Sequence, residues 1–214
     1  MSPRAEGLVA QELPVGLSAS ARSAVGAHAD CVGPNAIIQI RPALARYVDA
    51  DTLAGVFNAA GLGAYAVRDP AGMVPAADVA RLFDALREKL GAEVTDSVLG
   101  HAGRLTGAYI IANRIPRFAR AALRFSPARV AAPMLLNAIA AHAWTFAGGA
   151  EVRIGMRAPL WIEMGGNPLA TPGCPWHLGV LETLFRTLAS RTTMLRHTAC
   201  CAWGDAVCRT EISC

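Results

Sequence analysis

Five of the six cysteines lie from Cys174 onward, near the end of the sequence. Cys174, His197, Cys200 and Cys208 offer thiolate and imidazole groups, which are the usual ligands of zinc in its tetrahedral sites. Cys174 lies at the predicted start of a helix, where free backbone N–H groups lower the pKa of a thiol. Their spacing matches no standard zinc finger, so buried structural thiols are the alternative interpretation. A metal held by this set would fix the helix start to a C-terminal hairpin.

The hairpin pattern leaves open which of two adjacent cysteines belongs to this set. His197 and Cys200 are three residues apart, so a regular strand would place them on opposite faces unless a bulge or strand end lies between them. Cys201 shares a face with His197. A two-residue turn pairs Cys201 with Cys208, whereas an odd-length turn centred on Gly204 pairs Cys200 with Cys208.

The elements that must position these residues are predicted to be helices first and strands afterwards. The predicted helices cover residues 52–60, 75–90, 93–113, 117–124, 127–146 and 175–189, and the first has Asp51 as its N-cap. The predicted strands cover residues 36–40, 151–157 and 160–164, with a hairpin over 193–213. This order favours an α+β fold. Residues 1–35 are predicted to form a loose leader with one weak helix at 19–27, and residues 36–214 a single domain.

Composition and charge exclude several functional classes. Apolar residues make up 53% of the 214 residues, which is enough for a sizeable core, and the net charge of +4 comes from scattered arginines. We therefore expect no nucleic-acid partner. The longest apolar stretch, residues 130–149, is interrupted by Pro133, Asn137 and His142, so we expect no transmembrane segment. Without a recognisable signal peptide, the protein is predicted to be cytoplasmic, where thiols stay reduced and available to metals.

Three segments carry a family resemblance. They are LTGAYIIANRIP at 105–116, HAWTFAGG at 142–149 and CCAWGDAVC at 200–208. They resemble the bacteriochlorophyll 4-vinyl reductase family, the J protein of bacteriochlorophyll biosynthesis, over about residues 37–212. The resemblance implies a small-molecule-binding domain with helices packed on an antiparallel sheet, similar to Golgi-transport and nitric-oxide-signalling ligand-binding domains.

The resemblance also implies a structural zinc. Related aromatic-sensing domains bind zinc through a cysteine at a helix start, a glutamate, and two cysteines that flank a glycine-containing turn. Alignment on Gly204 places Cys174, Cys200 and Cys208 on the three cysteine positions, and His197 where the glutamate would be. Four protein ligands leave no open position for catalysis, so the zinc would be structural.

The family's chemistry implies a porphyrin or Mg-porphyrin ligand, which is a flat apolar disc with anionic propionates. Such a ligand needs an apolar slot, cations at its rim and, optionally, an axial base. His142 follows Leu135 and Ile139 on one predicted helical face and is therefore expected to point towards the core or a pocket. The candidates are the axial bases His142 and His101, the rim cations Arg114 and Arg117, and the stacking aromatics Tyr109, Trp144, Phe146 and Phe118.

The sequence favours a carrier over an enzyme. Reduction of a vinyl group needs an electron or hydride donor, usually a bound cofactor. The sequence has no G-x-G-x-x-G that opens a helix after a strand and no cysteine run typical of an iron–sulfur cluster. We expect no catalytic residues and a protein that delivers the pigment to a pathway enzyme such as Mg-chelatase, in the cytoplasm or at the periphery of the photosynthetic membrane. The alternatives are the divinyl chlorophyllide 4-vinyl reductase itself and a scaffold that binds no pigment. Fold relatives that pair suggest a homodimer.

Overall fold

The computed structural model describes residues 31–214, in which helices pack on an antiparallel sheet. The predicted α+β class is confirmed. The helices are α1 (Asn35–Ile38), α2 (Ile40–Leu44), α3 (Ala50–Ala59), α4 (Ala76–Asn113), α5 (Arg117–Phe125), α6 (Ala128–Ala141), α7 (Trp144–Ala147) and α8 (Pro175–Leu188), with 3-10 turns at Gly63–Ala66 and Cys201–Trp203. The strands are β1 (Cys31–Val32), β2 (Val74–Pro75), β3 (Glu151–Gly155), β4 (Leu160–Gly165), β5 (Met194–Ala199) and β6 (Val207–Ser213).

The main sheet has the strand order β3-β4-β6-β5 and is antiparallel throughout. Burial alternates along its central strands, so that one face points to the interior. On β6 the buried residues are Cys208, Thr210 and Ile212, and they lie opposite Met164, Ile162 and Leu160 of β4. The sheet therefore presents Cys208 to the protein interior. β1 and β2 form a separate two-stranded ribbon.

Glycines allow the two longest interacting helices to approach closely. α4 breaks at Gly91, which has φ 75°, and its second half packs along α8. A Cβ at Gly103 would overlap the Trp176 carbonyl group, and a Cβ at Gly107 would press against Thr183. Gly179 of α8 faces the same contact from the other side, where a Cβ would overlap the backbone of α4. This helix pair forms one wall of the helical cavity described below.

Three local predictions are wrong. Residues 36–40 form parts of α1 and α2, in which Ala36, Ile37 and Ile40 are buried at the i, i+1, i+4 spacing of a helix face. The N-cap of α3 is Asp49, whose carboxylate accepts from the backbone N–H of Thr52 at 2.8 Å. The predicted helix 127–146 ends at residue 141, where a turn separates α6 from the short α7.

The remaining elements follow the predicted order. The break in α4 at Gly91, helices α5 and α8, the strand pair β3–β4 and the C-terminal hairpin all lie within a few residues of their predicted bounds. The described part already begins with β1, so residues 31–35 belong to the fold, while the predicted helix at 19–27 lies outside the described residues. None of the helices in the range 31–214 is long and apolar enough to cross a bilayer.

Candidate functional site

Three buried thiols meet where α8 begins and the C-terminal hairpin turns. The Sγ atoms of Cys174, Cys200 and Cys208 all lie within 4.8 Å of one another. Cys174 Sγ is 3.5 Å from Cys208 Sγ and 3.7 Å from Cys200 Sγ. All three side chains are buried, and their cysteines are unbridged. The structure thus brings together the three predicted cysteine ligands, and the donor set suits a metal that prefers sulfur.

Backbone geometry aims these thiols at one point. Cys174 is the N-cap of α8 and adopts φ 45°, in the left-handed region, directly after Gly173 at φ 74°. This conformation costs a residue with a side chain roughly 1–2 kcal/mol. Cys200 ends β5 just before the 3-10 turn, and Cys208 lies on the inner face of β6. Such an outlier at a thiol cluster is typical of a functional constraint.

The structure places the two adjacent cysteines differently. Cys200 belongs to the cluster, whereas the Cys201 thiol lies near the carbonyl groups of Met164 and Ala206, at 3.8 and 3.9 Å. Cys201 instead donates its backbone N–H to Cys208 Sγ at 3.3 Å. A register irregularity between His197 and Ala199 supplies the bulge that the spacing required.

Hydrogen bonds prepare one of these sulfurs to carry charge. The Cys174 thiol donates to Cys208, and this contact, together with the Cys201 N–H and the Asn167 amide at 3.5 Å, lowers the pKa of Cys208 to about 5. The same hydrogen bond and burial raise the pKa of Cys174. The cluster therefore favours a single thiolate on Cys208, and metal binding would displace the remaining thiol protons.

The predicted fourth ligand lies close to the cluster but outside it. His197 is not among the groups that lie within 4.8 Å of one another, and its Nδ1 lies 3.1 Å from Thr210 Oγ1. Its Nε2 is buried and has no hydrogen-bond partner among residues 31–214. Burial lowers the pKa of His197, while the Cys208 charge opposes this shift, so the two groups are electrostatic neighbours.

A cavity of about 610 Å³ lies between the helices, apart from the sheet. Its walls come from α4, α5, α6, α7 and α8, and residues 33–35 complete them. The lining is mostly aliphatic and aromatic, with Arg114, His142 and His177 as its basic groups. Among the described residues that line it, none is Asp or Glu. This volume and lining fit an apolar ligand with an anionic edge.

Five of the eight predicted ligand-binding residues line this cavity, namely Tyr109, Arg114, His142, Trp144 and Phe146. His142 lies at the rim rather than in the core, because α6 ends before it and its Nδ1 donates to the Ala138 carbonyl at 2.9 Å. Arg117 and Phe118 are exposed on α5 and do not line the cavity. His101 also lies elsewhere, where partial burial, Arg46 and Arg104 lower its pKa.

His177 is the cavity residue whose role the sequence pattern did not indicate. It is buried, and its Nε2 donates to the Phe146 carbonyl at 3.2 Å. Burial lowers its pKa to about 4, so the ring is neutral at pH 7. Its Nδ1 has no partner in the described part of the chain. Its i+3 spacing from Cys174, one turn into α8, is the only sequence signal that placed it beside the site.

Two curated proteins match most of the chain. One, from Cereibacter sphaeroides, is 38% identical over 187 residues, which cover 85% of this chain and 89% of that protein, and it is named "Bacteriochlorophyll synthase 23 kDa chain". The other, from Rhodobacter capsulatus, has the same name and is 36% identical over 183 residues, 83% of this chain and 84% of that protein. The chain belongs to this bacteriochlorophyll synthase 23 kDa family. No general protein-family model matches it.

Membership of the bacteriochlorophyll synthase 23 kDa family confirms the predicted link to bacteriochlorophyll proteins. The name of the two relatives mentions a synthase assembly and a chain mass, and it mentions neither a 4-vinyl reductase nor a metal. The matches cover more than four fifths of this chain and of each relative.

Proposed function

We propose that this protein acts in bacteriochlorophyll biosynthesis by binding a porphyrin or Mg-porphyrin intermediate in the helical cavity. The observation that carries the proposal is the cavity itself, which is apolar, aromatic and basic in a chain whose relatives are named for bacteriochlorophyll synthesis. Trp144 and Phe146 offer stacking faces, and Arg114 offers a cation for a propionate.

The proposed activity is delivery rather than chemistry on the pigment. The bound intermediate would pass to a pathway enzyme such as Mg-chelatase, in the cytoplasm or at the surface of the photosynthetic membrane. The cavity lining supplies Tyr109, His142 and His177 as groups that can exchange a proton or coordinate a metal. These suffice to orient a tetrapyrrole, whereas a reduction would also need a source of electrons.

We also propose that the thiol cluster holds a structural zinc. Three buried sulfurs with backbone and amide donors around them match the ligand shell of a structural site. His197 stays the proposed fourth ligand, since its buried Nε2 has no partner among the described residues and it is an electrostatic neighbour of Cys208. Zinc would join the start of α8 to the hairpin and supply no chemistry to the cavity.

The deciding experiment is a titration of protoporphyrin IX, and separately of its Mg complex, into the purified chain. We expect saturable shifts of the pigment's Soret band and quenching of tryptophan fluorescence, because Trp144 and Trp176 line the cavity. If the protein converted a divinyl pigment in the presence of an added reductant, its function would be that of a 4-vinyl reductase and not that of a carrier. No spectral change with either pigment would leave a scaffold that binds no pigment.

A matched pair of variants tests whether the pigment occupies this cavity. Arg114→Gln removes the cation from the lining and should weaken binding about tenfold, as expected for one lost charge-assisted hydrogen bond. Arg117→Gln removes the same charge from a nearby exposed position and should leave the affinity unchanged. Equal weakening by both variants would place the pigment outside the cavity.

A further inference from the structure

We infer that helix α5 is a docking surface for a membrane that carries anionic lipids. The sequence of α5 is Arg-Phe-Ala-Arg-Ala-Ala-Leu-Arg-Phe, and no residue of this helix is fully buried. Phe118 is 78% exposed and Phe125 is 90% exposed, which is unusual for two large aromatic side chains on one short helix. They are seven residues apart and therefore lie on the same side of the helix.

The helix presents three distinct faces at a spacing of 100° per residue. Ala119 and Leu123 face the protein and line the cavity. Phe118 and Phe125, with the small residues between them, form an outward apolar face. The arginines of α5 fall together on the third face, beside the apolar one. A basic face that borders an exposed apolar face is typical of helices that lie in the plane of a membrane interface.

The sequence around α5 is basic and has no acidic residues to neutralise its arginines. Between Asp96 and Glu151 the sequence has no acidic residue, while it has the arginines Arg104, Arg114, Arg117, Arg120, Arg124 and Arg129. All the ion pairs found among residues 31–214 use other arginines. An anionic lipid surface would complement this charge, and each arginine near such a surface strengthens attachment.

Further exposed apolar side chains follow on the next helix. Val130 and Met134 of α6 are exposed and four residues apart. Four of the nine large exposed apolar residues of the described chain thus fall between positions 118 and 134. Because α5 also forms part of the cavity wall, a membrane bound at its outer face would lie one helix away from the cavity. An apolar ligand could then exchange with the bilayer without crossing bulk water.

Vesicle flotation of the full chain tests this surface. Vesicles of phosphatidylcholine alone are compared with vesicles that also contain about 30% phosphatidylglycerol, each at low and at high salt. We expect flotation with the anionic vesicles at low salt, less at high salt, and little with phosphatidylcholine alone. Flotation that does not depend on lipid charge would overturn the inference. No flotation with either vesicle would overturn it too and would leave this face to a protein partner.

Two variants with matched controls locate the contact. Replacement of Arg117, Arg120 and Arg124 by Gln should weaken anionic-vesicle binding on the order of a hundredfold. The control removes three exposed arginines elsewhere, Arg68, Arg157 and Arg191, and should change binding much less. Phe118→Ser with Phe125→Ser should weaken binding at least about tenfold. Its control is Met156→Ser with Met194→Ser, which removes exposed apolar groups elsewhere.

Melting temperatures show whether the variants still fold. Each variant should keep the melting temperature of the parent chain, because the replaced side chains of α5 are not fully buried. Control variants that weaken vesicle binding as much as the α5 variants would show that total charge or total apolar exposure attaches the protein, and would overturn the assignment to α5.

Discussion

His177 places a titratable imidazole in the interior, where its charged form is costly. Burial lowers its pKa to about 4, against 6.5 for an exposed histidine. Between pH 6.5 and pH 4 the unfolded chain therefore binds a proton that the folded chain does not. The free energy of unfolding should therefore keep its full value above pH 6.5 and fall as the pH drops towards 4. This residue should account for at most ~3 kcal/mol of that fall.

Urea unfolding of wild type and His177→Gln at several pH values between 7.5 and 4.5 measures this contribution. The variant should be less stable than wild type at neutral pH and lose less stability on acidification, because it cannot take up the proton. His101 also has a lowered pKa, and its contribution cancels in the difference. His197 has a lowered pKa too and interacts electrostatically with His177, so the difference includes the coupling between these two groups. Identical slopes for His177→Gln and wild type would refute the assignment.

Single residues were predictable where their chemistry is distinctive. Cys174 and Cys208 could be grouped from sequence, because cysteine is a distinctive ligand and the two lie at a predicted helix start and on a predicted hairpin. The hairpin pattern left Cys200 and Cys201 as alternatives, and only the family resemblance favoured Cys200. His177 could not be placed from sequence, because its burial depends on how α8 packs against α7, and no local pattern reports that packing. The environment of His197 depends in the same way on a bulge in β5.

At the scale of elements, the contact between α4 and α8 should be sensitive to a single methyl group. Gly103→Ala would drive a Cβ into the Trp176 carbonyl group, so the helices must separate, and the free energy of unfolding should fall by about 1–3 kcal/mol. Gly55→Ala is the matched control, since a Cβ there meets nothing within 4 Å inside α3. It should raise stability by about 0.5–1 kcal/mol. Urea unfolding compares the two, and equal stability changes would contradict this packing.

Elements were predictable where periodicity is strong. Helix α8 and the strands β4 and β6 match the sequence pattern, because each has one buried face. The break in α4 also falls at the predicted residue, Gly91. Residues 36–40 were mispredicted because a five-residue apolar run is too short to show a period that separates strand from helix. The end of α6 was mispredicted because residues 141–143 contain neither a glycine nor a proline.

At the scale of the whole molecule, the two proposed sites share one support. α8 begins at Cys174 in the thiol cluster and continues into the cavity wall through His177 and Val180. A metal that fixes the start of α8 would therefore also fix one wall of the cavity. This coupling follows from the order of residues along one helix, and the sequence alone could indicate it only once α8 was known to border both sites.

Metal removal tests that coupling. Purified chain should contain about one zinc, and Cys208→Ser should lose most of it, because one of three clustered sulfurs is gone. The variant, or wild type treated with a chelator, should melt at least about 5 °C lower and bind porphyrin more weakly, since the start of α8 is released. Cys214→Ser is the control, because Cys214 is exposed and outside the cluster. Zinc analysis, thermal melting and porphyrin titration on one preparation separate the outcomes. Full zinc occupancy in Cys208→Ser would show that the thiol cluster is not the metal site. Zinc loss with an unchanged melting temperature would show that the metal does not stabilise the fold.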